Sequence, residues 1–373
     1  MRVALVHDYL NQMGGAEKVL LALHQMFPSA PVYTTIAALE RLPPAFHRMD
    51  IRTGFMQRLP GVLDHHQIYL PLYPFAVERM DLRAYDLVLS DSSAFAKAAI
   101  KRPGAVHLCY CHTPMRWAWN YAEYIAREEL SAPVRAALPP IIARLRRWDA
   151  ATVGRVDRFI ANSAAVAARI RNCYGRTAEV IPPPVEVTRF EVARGHGGYF
   201  LILARLVPYK RIDLAVQACS ELGVALKVIG AGRDETRLRA LAGPSVEFLG
   251  ALPDAAAHAV LANCRALLFP GEEDFGIAPV EAQACGKPVI AYAAGGALTT
   301  IIPGHTGLFF HEPTVAALMA ALNLFRDGDF DPLNIRRHAE YFAAPHFARR
   351  MMQAISQTGI TMEPATLPLP TAA

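Results

Sequence analysis

Phe269-Pro-Gly-Glu-Glu-Asp-Phe-Gly-Ile-Ala-Pro-Val-Glu-Ala-Gln-Ala-Cys-Gly-Lys-Pro288 reads as strand, loop and helix. The apolar run Ala266 to Phe269 ends in Pro270-Gly271 and a short acidic loop; Pro279 then opens a helix that Gly286 can stop and Pro288 follows. Loops leaving the carboxyl ends of strands are where open α/β sheets bind ligands, and Gly276 lets backbone amides approach a phosphate at the helix start. Two carboxylates frame that spot, Glu273 in the loop and Glu281 in the first helical turn, with seven residues between them. Such a pair suits vicinal hydroxyls, each oxygen accepting a hydrogen bond from a sugar. A single acidic residue here is more simply a helix start favoured by the macrodipole; the paired spacing argues for the ligand.

That spacing, with Phe275-Gly276-Ile277 inside it and Glu-Ala-Gln-Ala-Cys-Gly-Lys-Pro-Val-Ile after Val280, resembles the signature of the retaining glycosyltransferases of family 4. The resemblance implies the GT-B fold: α/β, two Rossmann-like domains with parallel sheets facing a central cleft. It also implies that Glu273 holds hydroxyls of the transferred sugar, that Glu281 holds the nucleotide ribose, and that Phe275, Gly276 and Ile277 lie against the donor.

The chain has 373 residues, enough for two sizeable cores, and 53% apolar against 19% charged residues is a globular composition. A formal charge of +5 is small for this length. It favours anionic ligands or a membrane surface without requiring either, and no Lys/Arg run with interleaved aromatics points to nucleic acid. No uncharged apolar stretch is long enough to span a bilayer and the N-terminus enters a strand, so a cytoplasmic location is expected. Six cysteines sit mostly in apolar contexts without Cys-x-x-Cys spacing, which reads as buried reduced thiols. In Cys109-Tyr-Cys111-His112 the alternation along a strand sends both thiols to one face and the imidazole to the other, which argues against a metal site.

Arg2 to His7 is a buried-strand run, followed by a loop with Gly14-Gly15 and a helix ending near Phe27. A glycine pair where a first strand turns into a first helix has phosphate-cradle geometry, though a tight turn alone would also explain it. In family 4 a glycine-rich loop in this place faces the donor diphosphate. Further runs at Val32-Tyr33, Leu87 to Leu89, Val106 to Tyr110, Phe159-Ile160 and Val180-Ile181 alternate with helical stretches, which means a parallel sheet covered on both faces. Asp64 to Met80, with His65 and His66, reads as a helix or lid. In Cys111-His112-Thr113-Pro114-Met115-Arg116-Trp117-Ala118-Trp119 a histidine ends a strand and two tryptophans follow, offering an apolar platform and an uncharged polar donor. Similar His-Thr-Pro segments occur in family 4 proteins that build surface polysaccharides, where the histidine contacts the transferred sugar; that role falls to His112. Arg144 to Arg158 is basic and helical, with Leu145, Trp148, Thr152 and Val156 on one stripe. It reads as an amphipathic helix docked on the core, with attraction to anionic lipid as the alternative.

Ile181-Pro-Pro-Pro-Val-Glu through Gly198 is the clearest composition break and is read as the hinge. A second strand series follows: Phe200 to Leu203, Leu226 to Ile229, Val246 to Leu249, Ala266 to Phe269 and Val289 to Tyr292. Between the first of these and its helix stand Arg205 and Lys210, two cations that can converge on a diphosphate, although a solvated basic turn is the common reading of such a pair. Arg, four residues, Lys is how family 4 grips the nucleotide diphosphate. Gly230 in Val228-Ile-Gly230-Ala-Gly232 reads as a nucleotide-facing loop or simply a turn. Asp329-Phe-Asp331 spells the metal triplet of a different glycosyltransferase fold but is read as a surface loop. The expected organisation is an acceptor-binding domain over 1–190, a nucleotide-sugar-binding domain over 191–340, a helix over 341–360 that in relatives crosses back to the first domain, and a disordered tail over 361–373.

The resemblance implies a retaining hexosyltransferase with no cofactor and no metal. Its co-substrate is a nucleotide sugar, best GDP-mannose, and its acceptor a lipid-linked oligosaccharide in polysaccharide biosynthesis. His112, Glu273, Arg205 and Lys210 are its catalytic set, and Gly14, Gly15 and Glu281 join the donor site. Alternatives are a UDP-sugar enzyme, a sucrose- or trehalose-type synthase, a sugar-nucleotide epimerase, and a non-catalytic scaffold in a polysaccharide-assembly complex. Peripheral contact with an anionic membrane would suit a lipid-linked acceptor.

Overall fold

The computed structural model describes residues 1–121, 132–193 and 195–360; the tail expected to be disordered lies outside them. The chain divides into two units, Met1–Pro184 together with the chain from Phe347 onward, and Val185–His346.

In the first unit seven parallel strands are ordered β3-β2-β1-β4-β5-β6-β7: β1 Val3–His7, β2 Val32–Thr34, β3 Ile51–Thr53, β4 Leu87–Ser92, β5 Val106–Cys111, β6 Arg158–Ala161 and β7 Ala178–Val180. Their apolar character follows from burial on both faces. Leu5 points into a core with Leu20, Leu23, Val32, Leu87 and Leu108, whereas its neighbours Ala4 and Val6 join Tyr73, Val77, Val88 and Phe95 on the opposite face. Phe347, Met351, Ala354 and Ile355, on the helix Ala344–Ser356, complete the Leu5 core.

The second unit has six parallel strands ordered β10-β9-β8-β11-β12-β13: β8 Phe200–Leu203, β9 Leu226–Ile229, β10 Val246–Gly250, β11 Leu267–Phe269, β12 Val289–Tyr292 and β13 Gly307–Phe310. Leu201, Leu267, Phe269 and Val289 face one core, and Phe200, Ile202, Leu268 and Ile290 the other. In each unit the chain winds outward from a central pair of strands, β1 beside β4 and β8 beside β11. These are topological switch points, where crossovers leave to opposite sides and open a crevice beyond the strand ends.

The boundary falls at 184/185 rather than 190/191. Val185, Val187 and Phe190 are packed in the second unit's core, and the Val185 amide donates to the Phe342 carbonyl (2.9 Å). The far boundary lies at 346/347, six residues past 340, because Phe347 is the first residue of its helix to enter the first unit's core. The basic helix runs from Ala132 to Ala151, so Arg155 and Arg158 lie beyond it, Arg158 opening β6. Leu145, Thr152 and Val156 are buried as the stripe requires. All six cysteines are free, five of them buried. Asp331 caps the helix Pro332–Glu340 through its side chain, a structural use for the Asp-Phe-Asp triplet.

Candidate active site

At the switch point of the second unit, the chain leaves β8 through Arg205 and a single 3-10 turn, Pro208–Lys210, before the helix Ile212–Leu222. The neighbouring β11 is followed by an acidic loop and the helix Ile277–Ala284. The two loops meet: Lys210 Nζ donates to Glu273 Oε1 at 2.7 Å, with the side chains 15% and 21% exposed. Arg205 is exposed on the same loop as Lys210. An ammonium and a carboxylate thus meet between the turn after β8 and the acidic loop before an eight-residue helix, groups suited to a phosphorylated polyol.

Close backbone packing fixes this geometry. A Cβ on Gly230, at φ 137, would lie 1.8 Å from the Ala204 carbonyl oxygen, so glycine is needed for the loop after β9 to press against the turn carrying Arg205. A Cβ on Gly296 would lie 2.2 Å from the Phe275 backbone, and the Gly296 amide donates to the Glu273 carbonyl at 2.8 Å. Gly296 went unnoticed in the sequence, yet it holds the Glu273 loop in place. Arg211, directly after Lys210, is the one non-glycine residue at positive φ (51) among the described residues, the kind of local strain found where loops are over-determined.

Glu281 is not in the first helical turn. The helix begins at Ile277, two residues before Pro279, with Gly276 as its N-cap, so Glu281 is its fifth residue and belongs to the second turn. Proline is tolerated at the third position because the first amides have no partner within the helix. Glu281 therefore gains little from the helix N-terminus.

In the first unit, His7 at the end of β1 pairs with Asp91, the last residue but one of β4, and His112 directly follows the end of β5 at Cys111. His112 Nε2 donates to Asp91 Oδ1 (2.5 Å), His7 Nδ1 to Asp91 Oδ2 (2.9 Å), and His7 Nε2 lies 3.7 Å from Glu17 Oε1. Gly14 is the N-cap of the helix Gly15–Met26, and Glu17 lies in its first turn, so the glycine pair sits directly above this network. Burial disfavours the His7 cation, but Asp91 and Glu17 outweigh it and push the pKa up to about 10. Burial would raise Asp91, yet His112 and His7 hold it below the usual carboxylate range. Burial would lower His112, and the charge and hydrogen bond of Asp91 raise it instead. The uncharged donor expected from the sequence is thus a ring biased towards the imidazolium.

The adjacent Asp8 carboxylate accepts from the amides of Ser93, Ala94, Phe95 and Ala96 at 2.6 to 2.9 Å, which ties the loop after β4 to the end of β1. The tryptophans beyond His112 are partly buried fixtures of the core. Trp117 packs against Phe95 with ring centres 5.9 Å apart, and Trp119 Nε1 donates to Asp149 Oδ2 at 2.7 Å. Sequence reasoning missed Asp91, His7, Glu17 and Asp8. Among the described residues no group of three or more His, Cys, Asp or Glu side chains could hold a metal ion, and no helix is long and apolar enough to cross a membrane.

Residues 13–189 match the family model described as Glycosyltransferase Family 4, and residues 186–341 match that of Glycosyl transferases group 1. The chain is 26% identical over 309 residues, 69% of its length and 68% of the relative's, to a D-inositol 3-phosphate glycosyltransferase of Acidothermus cellulolyticus. Over 186 residues, 41% of this chain and 49% of the relative, it is 34% identical to a GDP-mannose-dependent monoacylated alpha-(1-6)-phosphatidylinositol monomannoside mannosyltransferase of Corynebacterium glutamicum. The fold is similar to that of an Anabaena protein, HepE, solved in complex with UDP-glucose, with a TM-score of 0.68 at 18% identity, covering 96% of this chain and all of that one.

Proposed function

Since the chain belongs to the family 4 glycosyltransferases and has the GT-B fold, we propose that it is a retaining hexosyltransferase that takes mannose from GDP-mannose and adds it to a lipid-linked oligosaccharide. The observation that carries this reading is the meeting of Lys210 and Glu273 at the switch point of the second sheet. One loop supplies cations for a diphosphate and the other a carboxylate for sugar hydroxyls. The choice of mannose is supported by the relative named for GDP-mannose.

In this reaction the bond between the sugar and the diphosphate breaks and negative charge grows on the leaving oxygen. Arg205, Lys210 and the amides near Gly276 stabilise that charge, and no metal is needed for it. Glu273 fixes the sugar by its hydroxyls, Glu281 holds the ribose, Phe275 and Ile277 line the donor, and His112 addresses a sugar oxygen. Gly230 acts by holding the Arg205 turn. Peripheral attraction of exposed basic side chains to anionic lipid would bring the enzyme to its acceptor.

Calorimetric titration with GDP, UDP and ADP, repeated on Lys210→Ala, tests the reading. Tight binding of GDP, weakened about 10- to 100-fold by loss of one charge-assisted hydrogen bond, is the expected result. Preference for UDP would replace the sugar while keeping the site. Binding of none of the three would leave a non-catalytic scaffold as the better reading.

A further inference from the structure

Asp91 is fully buried, and each of its oxygens takes one imidazole: Oδ2 that of His7 and Oδ1 that of His112. His7, 3% exposed, lies between this carboxylate and that of Glu17, which is itself buried. Four ionisable groups from four elements thus form one line, from the helix under the Gly14-Gly15 loop through β1 and β4 to the end of β5. Only the last, with 14% of its side chain exposed, reaches the surface. Buried charges are kept only when paired, so the line has a use beyond packing one histidine.

The hydrogen bond to Asp91 settles which atom of His112 is left for a ligand. Nε2–H is committed to the carboxylate, and among the described residues no group bonds Nδ1. Protonated, Nδ1 donates to a sugar oxygen; neutral, with the proton held on Nε2, it can only accept from a sugar hydroxyl. Whatever sets the protonation of His112 therefore sets the sense of its contact with the substrate.

We propose that Asp91, His7 and Glu17 are positioning residues for His112, a buried charge line that fixes its ring with Nδ1 outward and holds that atom as a hydrogen-bond donor. The role given to His112 rests on the glycosyltransferase reading; the charge line itself does not. The groups facing His112 are Asp91 from β4, His7 from β1, Glu17 from the first helix and Tyr110 from its own strand. Tyr110 is buried, its hydroxyl donating to the Ile181 carbonyl, and burial keeps it neutral. Asn162 Nδ2 donates to the His112 carbonyl and holds the backbone.

The members act on His112 with opposite signs. Asp91 and Glu17 favour its cation, whereas the positive His7 disfavours it. A relay therefore predicts shifts of opposite direction from substitutions at adjoining buried positions, which loss of packing would not produce.

The test is a pH titration of the histidine side chains by nitrogen-15 NMR on the ligand-free full chain, with His112 assigned by its absence in His112→Gln. In the wild type, His112 should titrate above 6.5 and carry its neutral-form proton on Nε2. Asp91→Asn should move the midpoint down by about one unit or more, Glu17→Gln down by less, and His7→Gln up. If Asp91→Asn fails to fold, the opposed pair Glu17→Gln and His7→Gln decides alone. Shifts in one direction for both, no shifts, or a neutral His112 with its proton on Nδ1 would overturn the proposal.

The pH dependence of kcat/KM for glycosyl transfer should follow the same midpoints. An unmoved rate profile beside shifted NMR midpoints would overturn the substrate-facing role of Nδ1. Absence of nucleotide binding in the calorimetric titration would instead overturn the enzyme reading and leave the NMR result standing.

Discussion

Lys97→Met offers a sharp test of how the segment beyond His112 is held. Lys97 Nζ lies 3.0 Å from Asp149 Oδ1, 2.7 Å from the Asp149 carbonyl and 2.9 Å from Thr152 Oγ1, and the Lys97 and Asp149 side chains are 1% and 0% exposed. The other Asp149 oxygen accepts from Trp119 Nε1, so one carboxylate pegs the short helix Arg116–Trp119 to the long helix Ala132–Ala151. Methionine keeps most of the lysine's length and removes its charge, leaving a buried carboxylate whose remaining partners, the Trp119 indole and the Tyr174 hydroxyl, are neutral; breaking a buried pair in this way costs about 3–5 kcal/mol. The double variant Lys97→Met/Asp149→Leu buries no charge and leaves only neutral donors, the Trp119 indole N–H and the Tyr174 hydroxyl, without that acceptor, a cost of about 1–3 kcal/mol for a buried donor left unmade. The double variant should thus be more stable than Lys97→Met alone. All three tryptophans, 117, 119 and 148, lie in the first unit, so urea unfolding followed by tryptophan fluorescence reads that unit and not an average over two. A loss below about 1 kcal/mol for Lys97→Met, or a double variant as unstable as the two single changes added together, would refute the reasoning.

Two further outcomes follow from the same packing. Gly230→Ala must open the contact with Ala204 or twist out of φ 137, so the Arg205 turn should shift; nucleotide affinity by calorimetry should fall at least tenfold, and unchanged affinity would show that the turn is not held by this contact. The His7 pKa is raised in the folded state, so its stabilisation is complete below the unfolded value near 6.5 and is lost as pH rises through about 10; melting of the first unit between pH 7 and 10.5 should fall in the wild type and much less in His7→Gln, and parallel curves would count against the charged His7.

Most of the fold was legible because parallel strands buried on both faces read as unbroken apolar runs. Phe200–Leu203, Leu226–Ile229 and Val289–Tyr292 stand where the sequence placed them. The missed strands, β3 with Ile-Arg-Thr and β13 with Gly-Leu-Phe-Phe, are both at sheet edges and lack a neighbour on one side, although the edge strands β7 and β10 were found through Val180-Ile181 and Val246 to Leu249. In the candidate site, Lys210 and Glu273 were singled out by spacings that resemble the family's, and the structure brings their side chains together. The Asp91 line was not, since its members come from separate elements, His7 and Asp91 being 84 residues apart, and each alone looks ordinary. One signal was present: Leu87-Val-Leu-Ser-Asp-Ser is an apolar strand whose last three residues are polar and fully buried. Buried polar groups need partners, so such a strand end announces a network even when its members cannot be named.

Carboxylate and imidazole alternate along that line, so a cation on either histidine meets a carboxylate on the next member. Removing His7 would leave two carboxylates with one imidazole, and removing Asp91 would leave two imidazoles with one carboxylate; either imbalance is costly at the low dielectric of these buried strand ends. The pressure to restore balance falls on His112, the only member of the line that is more than a tenth exposed and therefore the one that can exchange a proton with its surroundings. A negative charge brought near Nδ1 adds to the same pressure and draws the ring further towards its cation. The burial that makes the line costly also makes its outermost proton responsive to the charge of a ligand.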